Sequence, residues 1–99
     1  MTSQKIKIKE PDLDMPNISN ICNQVINLFD KKIKKITLEL ENVNFIDSEG
    51  IWGLYEIHIK ANKIGSKIQL INITPEIKKI LKKTGLSNKL NILYLSHSL

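Results

Sequence analysis

The residues in this chain best placed for chemistry are Asp47-Ser48-Glu49-Gly50, where an apolar run gives way to a helical pattern. A serine between two acids at the mouth of a helix can attack, cap the helix, or receive a modification. Attack needs a nucleophile elbow, Gly-x-Ser-x-Gly, on a strand-to-helix turn. The turn context fits, but Ile46 stands where the first glycine should be. Attack also needs a base, and the chain has two histidines, His58 and His97. His58 is ten residues further along the same helical pattern, roughly 15 Å away at the rise of an α-helix. It cannot deprotonate Ser48. His97 stands three residues from the end of the sequence. No enzyme activity is expected.

Other chemistries are poorly supplied. Cys22 is the one cysteine, which excludes an intrachain disulfide, and it falls on an apolar stripe as a small core residue. One Cys and two distant His give no metal-ligand spacing, and there is no glycine-rich phosphate loop, so neither metal nor cofactor is expected. The formal charge is +5, and all fifteen basic side chains are lysines. Nucleic-acid sites favour arginine for its bidentate fork, so the lysines read as a solvated surface and no nucleic-acid partner is expected. The N-terminal residues carry no apolar signal segment. The longest uncharged stretch, residues 15–29, is too short and too polar to span a membrane. A cytoplasmic location, without membrane insertion, is the expectation.

The elements that must position Ser48 can be read from periodicity. Ninety-nine residues at 41% hydrophobic make one domain, residues 1–99. Lys5 to Lys9 alternates with period two and predicts a half-buried edge strand guarded by lysines. Residues 11–16 hold two prolines and break it. Asp14 or Asn17 can cap a helix whose stripe is Ile18, Ile21, Cys22, Val25, Leu28 and Phe29. Residues 36–41 alternate strictly as a second strand. The next helix runs from about Gly50 to Ile64 and stops at Gly65. Residues 67–71 form a third strand, Thr74-Pro75 starts a short helix ending at Gly85, and residues 90–95 form a last strand. The order is β-α-β-α-β-α-β, an α/β fold with parallel pairs and helical crossovers.

On the central helix, Trp52, Glu56, Ile59 and Lys63 share one face, and Ile51, Leu54, Tyr55, His58 and Ala61 share a neighbouring, inward one. Trp52 either anchors a partner or packs under a loop. Asp47 or Ser48 is the helix cap. A phosphate on a hydroxyl there would meet backbone donors and the positive end of the helix dipole, adding roughly two negative charges without melting the fold.

From Ile36 to Ile92 the chain resembles the STAS domain family, and within it the bacterial anti-sigma-factor antagonists. The resemblance lies in "ITLELENVNFIDSEGI" and "KANKIGSKIQLINITPEIKKILKKTGLSNKLNI". It implies a STAS-like single domain, a mixed four- to five-stranded sheet packed with three to four helices. It also implies that Ser48, directly after Asp47, is the phosphoacceptor. The partner would be an anti-sigma factor with a histidine-kinase-like ATPase domain, bound by the unphosphorylated protein and released by phosphorylation. Leu13-Asp14 matches a further part of the family's partner surface. The surface expected to bind the partner is thus Asp14, Asp47, Glu49, Gly50, Trp52, Glu56 and Ile59. Three departures stand out. Glu49 replaces a small residue and sets a fixed charge beside Ser48, Trp52 replaces another small residue, and the N-terminus has room for one strand rather than two before Leu13-Asp14. They suit a second reading, a non-phosphorylated accessory subunit of a lipid-transport ABC ATPase. A stressosome-type signalling adaptor is a third.

Overall fold

A computed structural model of the chain describes residues 3–93. The elements in chain order are β1 (Ser3–Lys7), β2 (Asp12–Leu13), α1 (Met15–Asp30), β3 (Lys35–Glu39), β4 (Phe45–Ile46), α2 (Ser48–Lys63), β5 (Lys67–Ile71), α3 (Pro75–Lys83) and β6 (Ile92–Leu93). The main sheet has the order β1-β3-β5-β6, with every described pairing parallel. It is the α/β, STAS-like architecture expected, with a four-stranded main sheet, a two-stranded ladder and three helices among the described residues, and the described pairings are parallel rather than mixed. The last strand was expected to reach Leu95. Residues 94 and 95, with His97, lie outside the described residues.

The sheet has two unlike faces because each strand alternates. Ile36, Leu38 and Leu40 are buried with Ile8, Ile68 and Leu70 in one core. α1 contributes Ile18, Ile21 and Val25 to it, and α2 contributes Leu54, Ile57 and Ala61. On the opposite face Lys5, Thr37 and Gln69 lie in register. Parallel sheets are usually covered on both faces, so this polar row is atypical among the described strands. The first strand begins two residues earlier than its lysine alternation suggests, at Ser3, although the Ile8 N–H still reaches the Glu39 carbonyl at 3.0 Å. It is an edge strand, and its lysines are tied inward: Lys5 is 3.5 Å from Glu39 and Lys7 is 3.7 Å from Glu41.

The inward face of α2 differs from the sequence reading. Its buried residues are Gly50, Gly53, Leu54, Ile57 and Ala61, while Ile51, Tyr55 and His58 are half-buried. Two glycines cause the offset. A Cβ at Gly53 would collide with the Ile18 side chain, and one at Gly50 with the Leu13 carbonyl oxygen. A side-chain pattern does not count glycines as apolar, yet here Gly53 is where α2 approaches α1 and Gly50 is where it approaches β2 and β4.

Candidate functional site: two capped helix starts

Between the first strand and α1 the chain does more than break. Asp12–Leu13 pairs in parallel with Phe45–Ile46, a two-residue ladder that the sequence reading missed. The Pro11 carbonyl accepts from the N–H of Asn44 at 2.8 Å, and the Leu13 carbonyl accepts from the N–H of Asp47 at 3.2 Å. This ladder sets the starts of α1 and α2 side by side, although they are 33 residues apart in sequence.

Both starts are built alike. Asp14, not Asn17, is the cap of α1: its Oδ1 accepts from the Asn17 N–H at 3.2 Å. Asp47, not Ser48, is the cap of α2: its Oδ1 accepts from the Gly50 N–H at 3.0 Å. Each cap leaves the following residue, Met15 or Ser48, as the first helical position. Helix α2 therefore begins at Ser48, two residues before the expected Gly50. Ser48 is exposed, and within the described residues its hydroxyl enters no hydrogen bond. Glu49 follows it, exposed in the first turn, where a carboxylate suits the helix dipole.

The expected partner-surface residues divide by position. Asp14, Asp47 and Glu49 gather around the two helix starts. Gly50 is buried and serves packing, through its approach to Leu13. Trp52 is 62% exposed, which decides its open alternative: it projects from α2 rather than packing under a loop. It meets Tyr55 edge-on, with ring centroids 6.2 Å apart. It stands between two grooves. One, of about 340 Å³, runs between α1 and α2 past Met15, Cys22, Glu49 and Glu56. The other, of about 210 Å³, lies against Tyr55, Thr84, Leu86 and Lys89. Ile59 is half-buried and lines neither. The α1 side of the first groove was missed because Cys22 read as a core residue of its own helix, and the packing of α1 on α2 that brings it to the groove beside Trp52 leaves no local pattern.

Among the described residues no histidine stands beside Ser48. His58 is half-buried, with Nε2 3.4 Å from the Asn62 side-chain nitrogen, well down α2. Burial pushes the Cys22 thiol pKa up, the Glu56 carboxylate adds to this, and Lys60 opposes it. Its Sγ lies 3.8 Å from the Gly53 carbonyl oxygen. Among the described residues no group of three or more His, Cys, Asp or Glu is placed to hold a metal, and no helix is long and apolar enough to cross a membrane.

The STAS domain profile matches residues 6–98. The chain belongs to the STAS domain family. Solved structures agree on the fold. The unphosphorylated anti-sigma factor antagonist SpoIIAA superposes with a TM-score of 0.78 at 17% identity, covering 96% of this chain and 81% of that one. A putative anti-sigma factor antagonist from Thermotoga maritima gives 0.78 at 22% identity, over 95% and 81%. A sulfate transporter family protein from Wolinella succinogenes gives 0.74 at 17% identity, over 95% and 77%. No curated protein sequence matches the chain significantly. At these identities the likeness is one of fold, and it spans both antagonists and a transporter family.

Proposed function

We propose that this STAS domain is a switchable protein-binding regulator of the anti-sigma-factor-antagonist kind. It binds a kinase-like anti-sigma factor through Asp14, Asp47, Glu49, Trp52 and Glu56, and phosphorylation of Ser48 breaks the complex. One observation carries the reading: Asp47 performs the cap, so the exposed Ser48 hydroxyl has no structural duty. The first N–H groups of a helix lack intrahelical partners. Gly50 spends its own on Asp47, and Asp47 spends its own on Leu13, which leaves those of Ser48 and Glu49 for a phosphate. Roughly two added charges beside Asp47 and Glu49 would turn an acidic surface into a repulsive one. A Bacillus protein of this fold, SpoIIAA, has been solved in its phosphorylated form, at a TM-score of 0.72 and 18% identity. Trp52, exposed between two grooves, is the apolar anchor of the contact.

The test is incubation with ATP and the cognate kinase-like anti-sigma factor, read by intact mass. Wild type gains one phosphate and Ser48→Ala gains none. Equal uptake by both rejects the assignment. Glu49 favours a second reading, because its fixed charge beside Ser48 imitates part of a phosphate. On that reading the chain is a constitutive accessory subunit of a lipid-transport ABC ATPase. Stable copurification with the ATPase subunit, unchanged by Ser48→Ala, would select it.

A further inference from the structure

Charge is sorted to opposite ends of this molecule. In a parallel α/β fold, helices start at the end where strands finish and end where strands begin. Eight of the ten acids lie at the first end: Glu10, Asp12 and Asp14 before α1, Glu39 and Glu41 at the end of β3, Asp47 and Glu49 at α2, and Glu76 at α3. The opposite end is basic. Lys31, Lys32, Lys34 and Lys35 occupy the turn from α1 into β3. Lys60 and Lys63 stand in the last turn of α2, and Lys67 opens β5. These loops are joined, since Lys67 N–H donates to the Lys34 carbonyl at 2.9 Å and the Ser66 hydroxyl donates to the Ile33 carbonyl at 3.4 Å. All seven lysines are exposed, and Asp30 is the acid beside them.

Lysine in the last turn of a helix complements the helix dipole. That explains Lys60 and Lys63. It does not explain two arrangements that keep positive charge at a local cost. Lys32 has φ +69°, a left-handed position where glycine is favoured, and the turns after α2 and α3 do use Gly65 and Gly85 at +74° and +75°. Lys35 and Lys67 are direct neighbours in the β3–β5 register, a like-charge pairing that opposes the ladder. In their midst Ile64, the residue after α2, is 53% exposed.

We infer that this basic end is a peripheral docking surface for an anionic lipid bilayer. The lysine ammoniums gather acidic headgroups, each adding to the attraction near the surface. Ile64 enters the boundary between headgroups and acyl chains. A nucleic acid fits less well, because no arginine is present to fork onto phosphates and an exposed aliphatic side chain has no part in that contact. A molecule seated this way turns its opposite end, with Ser48, Asp14 and Asp47, toward the aqueous phase, so lipid and protein partner can be held together.

The experiment is cosedimentation of the full chain with vesicles of phosphatidylcholine alone, or with about 30 mol% phosphatidylglycerol at about 0.1 M salt. Binding is expected to the anionic vesicles only, and its loss at about 0.5 M salt. Replacing Lys31, Lys32, Lys34 and Lys35 together by Gln should weaken binding at least about tenfold. Ile64→Ser should weaken it about threefold at unchanged charge. The control replaces Lys7, Lys9, Lys78 and Lys79 by Gln, the same change in net charge elsewhere, and should stay within about twofold. Circular dichroism checks that each variant is folded. Absence of binding to anionic vesicles overturns the inference, as does an equal loss in the two quadruple variants. Tighter binding to a short DNA duplex than to the vesicles at the same salt also overturns it, in favour of a polyanion site.

Discussion

Helices α1 and α2 begin with the same device and differ in what they do with it. Each has an aspartate cap whose Oδ1 holds the N–H three residues on. Each cap carbonyl also takes the first helical bond, from Ile18 at 2.9 Å and from Ile51 at 3.0 Å. The two positions between cap and closure are Met15-Pro16 in α1 and Ser48-Glu49 in α2. Proline fills its position with no N–H to offer, while Ser48 and Glu49 leave two N–H groups and a hydroxyl facing water. One start leaves a single N–H, that of Met15, and the other leaves two and a hydroxyl. The cap itself therefore says little about function, and the residues it leaves uncommitted say more.

The third helical position separates the two starts most sharply. In α2 it is Gly50, pressed against the Leu13 carbonyl and the Ile46 side chain. In α1 it is Asn17, whose Nδ2 donates outward to the Asp12 carbonyl at 2.8 Å. Gly50→Ala drives a methyl into backbone that cannot rotate away. It should cost about 3 kcal/mol, or more than about 10 °C in a melt of a domain this size. Asn17→Ala loses one exposed hydrogen bond and gains helix propensity, so it should cost under about 1 kcal/mol. Urea denaturation of both variants measures the contrast. A Gly50→Ala protein as stable as wild type would mean that α2 does not approach the β2–β4 ladder as described.

Next in size are the caps. Asp14→Ala and Asp47→Ala should each cost about 1 kcal/mol, the usual loss for an N-cap. Both should reduce phosphate uptake at Ser48, because both lie on the surface proposed to bind the kinase, and Asp47→Ala should reduce it more, because it also loosens the turn that holds the hydroxyl. Equal losses would mean that the Asp47 turn adds nothing beyond the shared surface.

How far the sequence foretold this arrangement depends on which interaction made it. α1, β3, β5 and α3 follow from periodicity and from cap and stop residues, because each buries its own stripe. Thr74 was legible as a cap and is one, accepting from the Ile77 N–H at 3.3 Å. Its hydroxyl also donates to the Val43 carbonyl at 3.2 Å, a contact between segments that no local pattern announces. Ser48 stood out by its position between two acids at a helix mouth and Asp14 as a candidate cap, and the family resemblance gave both a role, but their proximity was not derivable from periodicity. It depends on β2 and β4, two-residue strands too short to alternate, one of them inside a proline-bounded stretch that reads as a break. The inward face of α2 went astray for a related reason, since the deciding residues, Gly50 and Gly53, act by lacking a side chain.

Ser48→Ala comes next, with a small expected effect on stability, within about 0.5 kcal/mol of wild type. The reasoning is that an exposed hydroxyl outside the cap contributes little to the fold. A loss comparable to that of Asp47→Ala would place the hydroxyl in the cap after all, and would make the two helix starts differ in architecture rather than in what they leave free.

The smallest effect is read at Cys22, which lies in the groove between the two helices and reports on how tightly they close. Its thiol pKa is raised first by burial and then by Glu56, with Lys60 pulling the other way. A raised pKa means less thiolate at any given pH, so alkylation by iodoacetamide should be slower than for a short peptide carrying the same residues, with its rate midpoint at higher pH. Glu56→Gln removes the second cause and leaves the first, so the midpoint should move down only part of the way toward the peptide. Gly53→Ala, which forces Ile18 aside, should open the groove and lower the midpoint through the larger cause, burial. A midpoint that follows Glu56→Gln but ignores Gly53→Ala would show that the charge in the groove, and not the closeness of α1 to α2, governs this thiol.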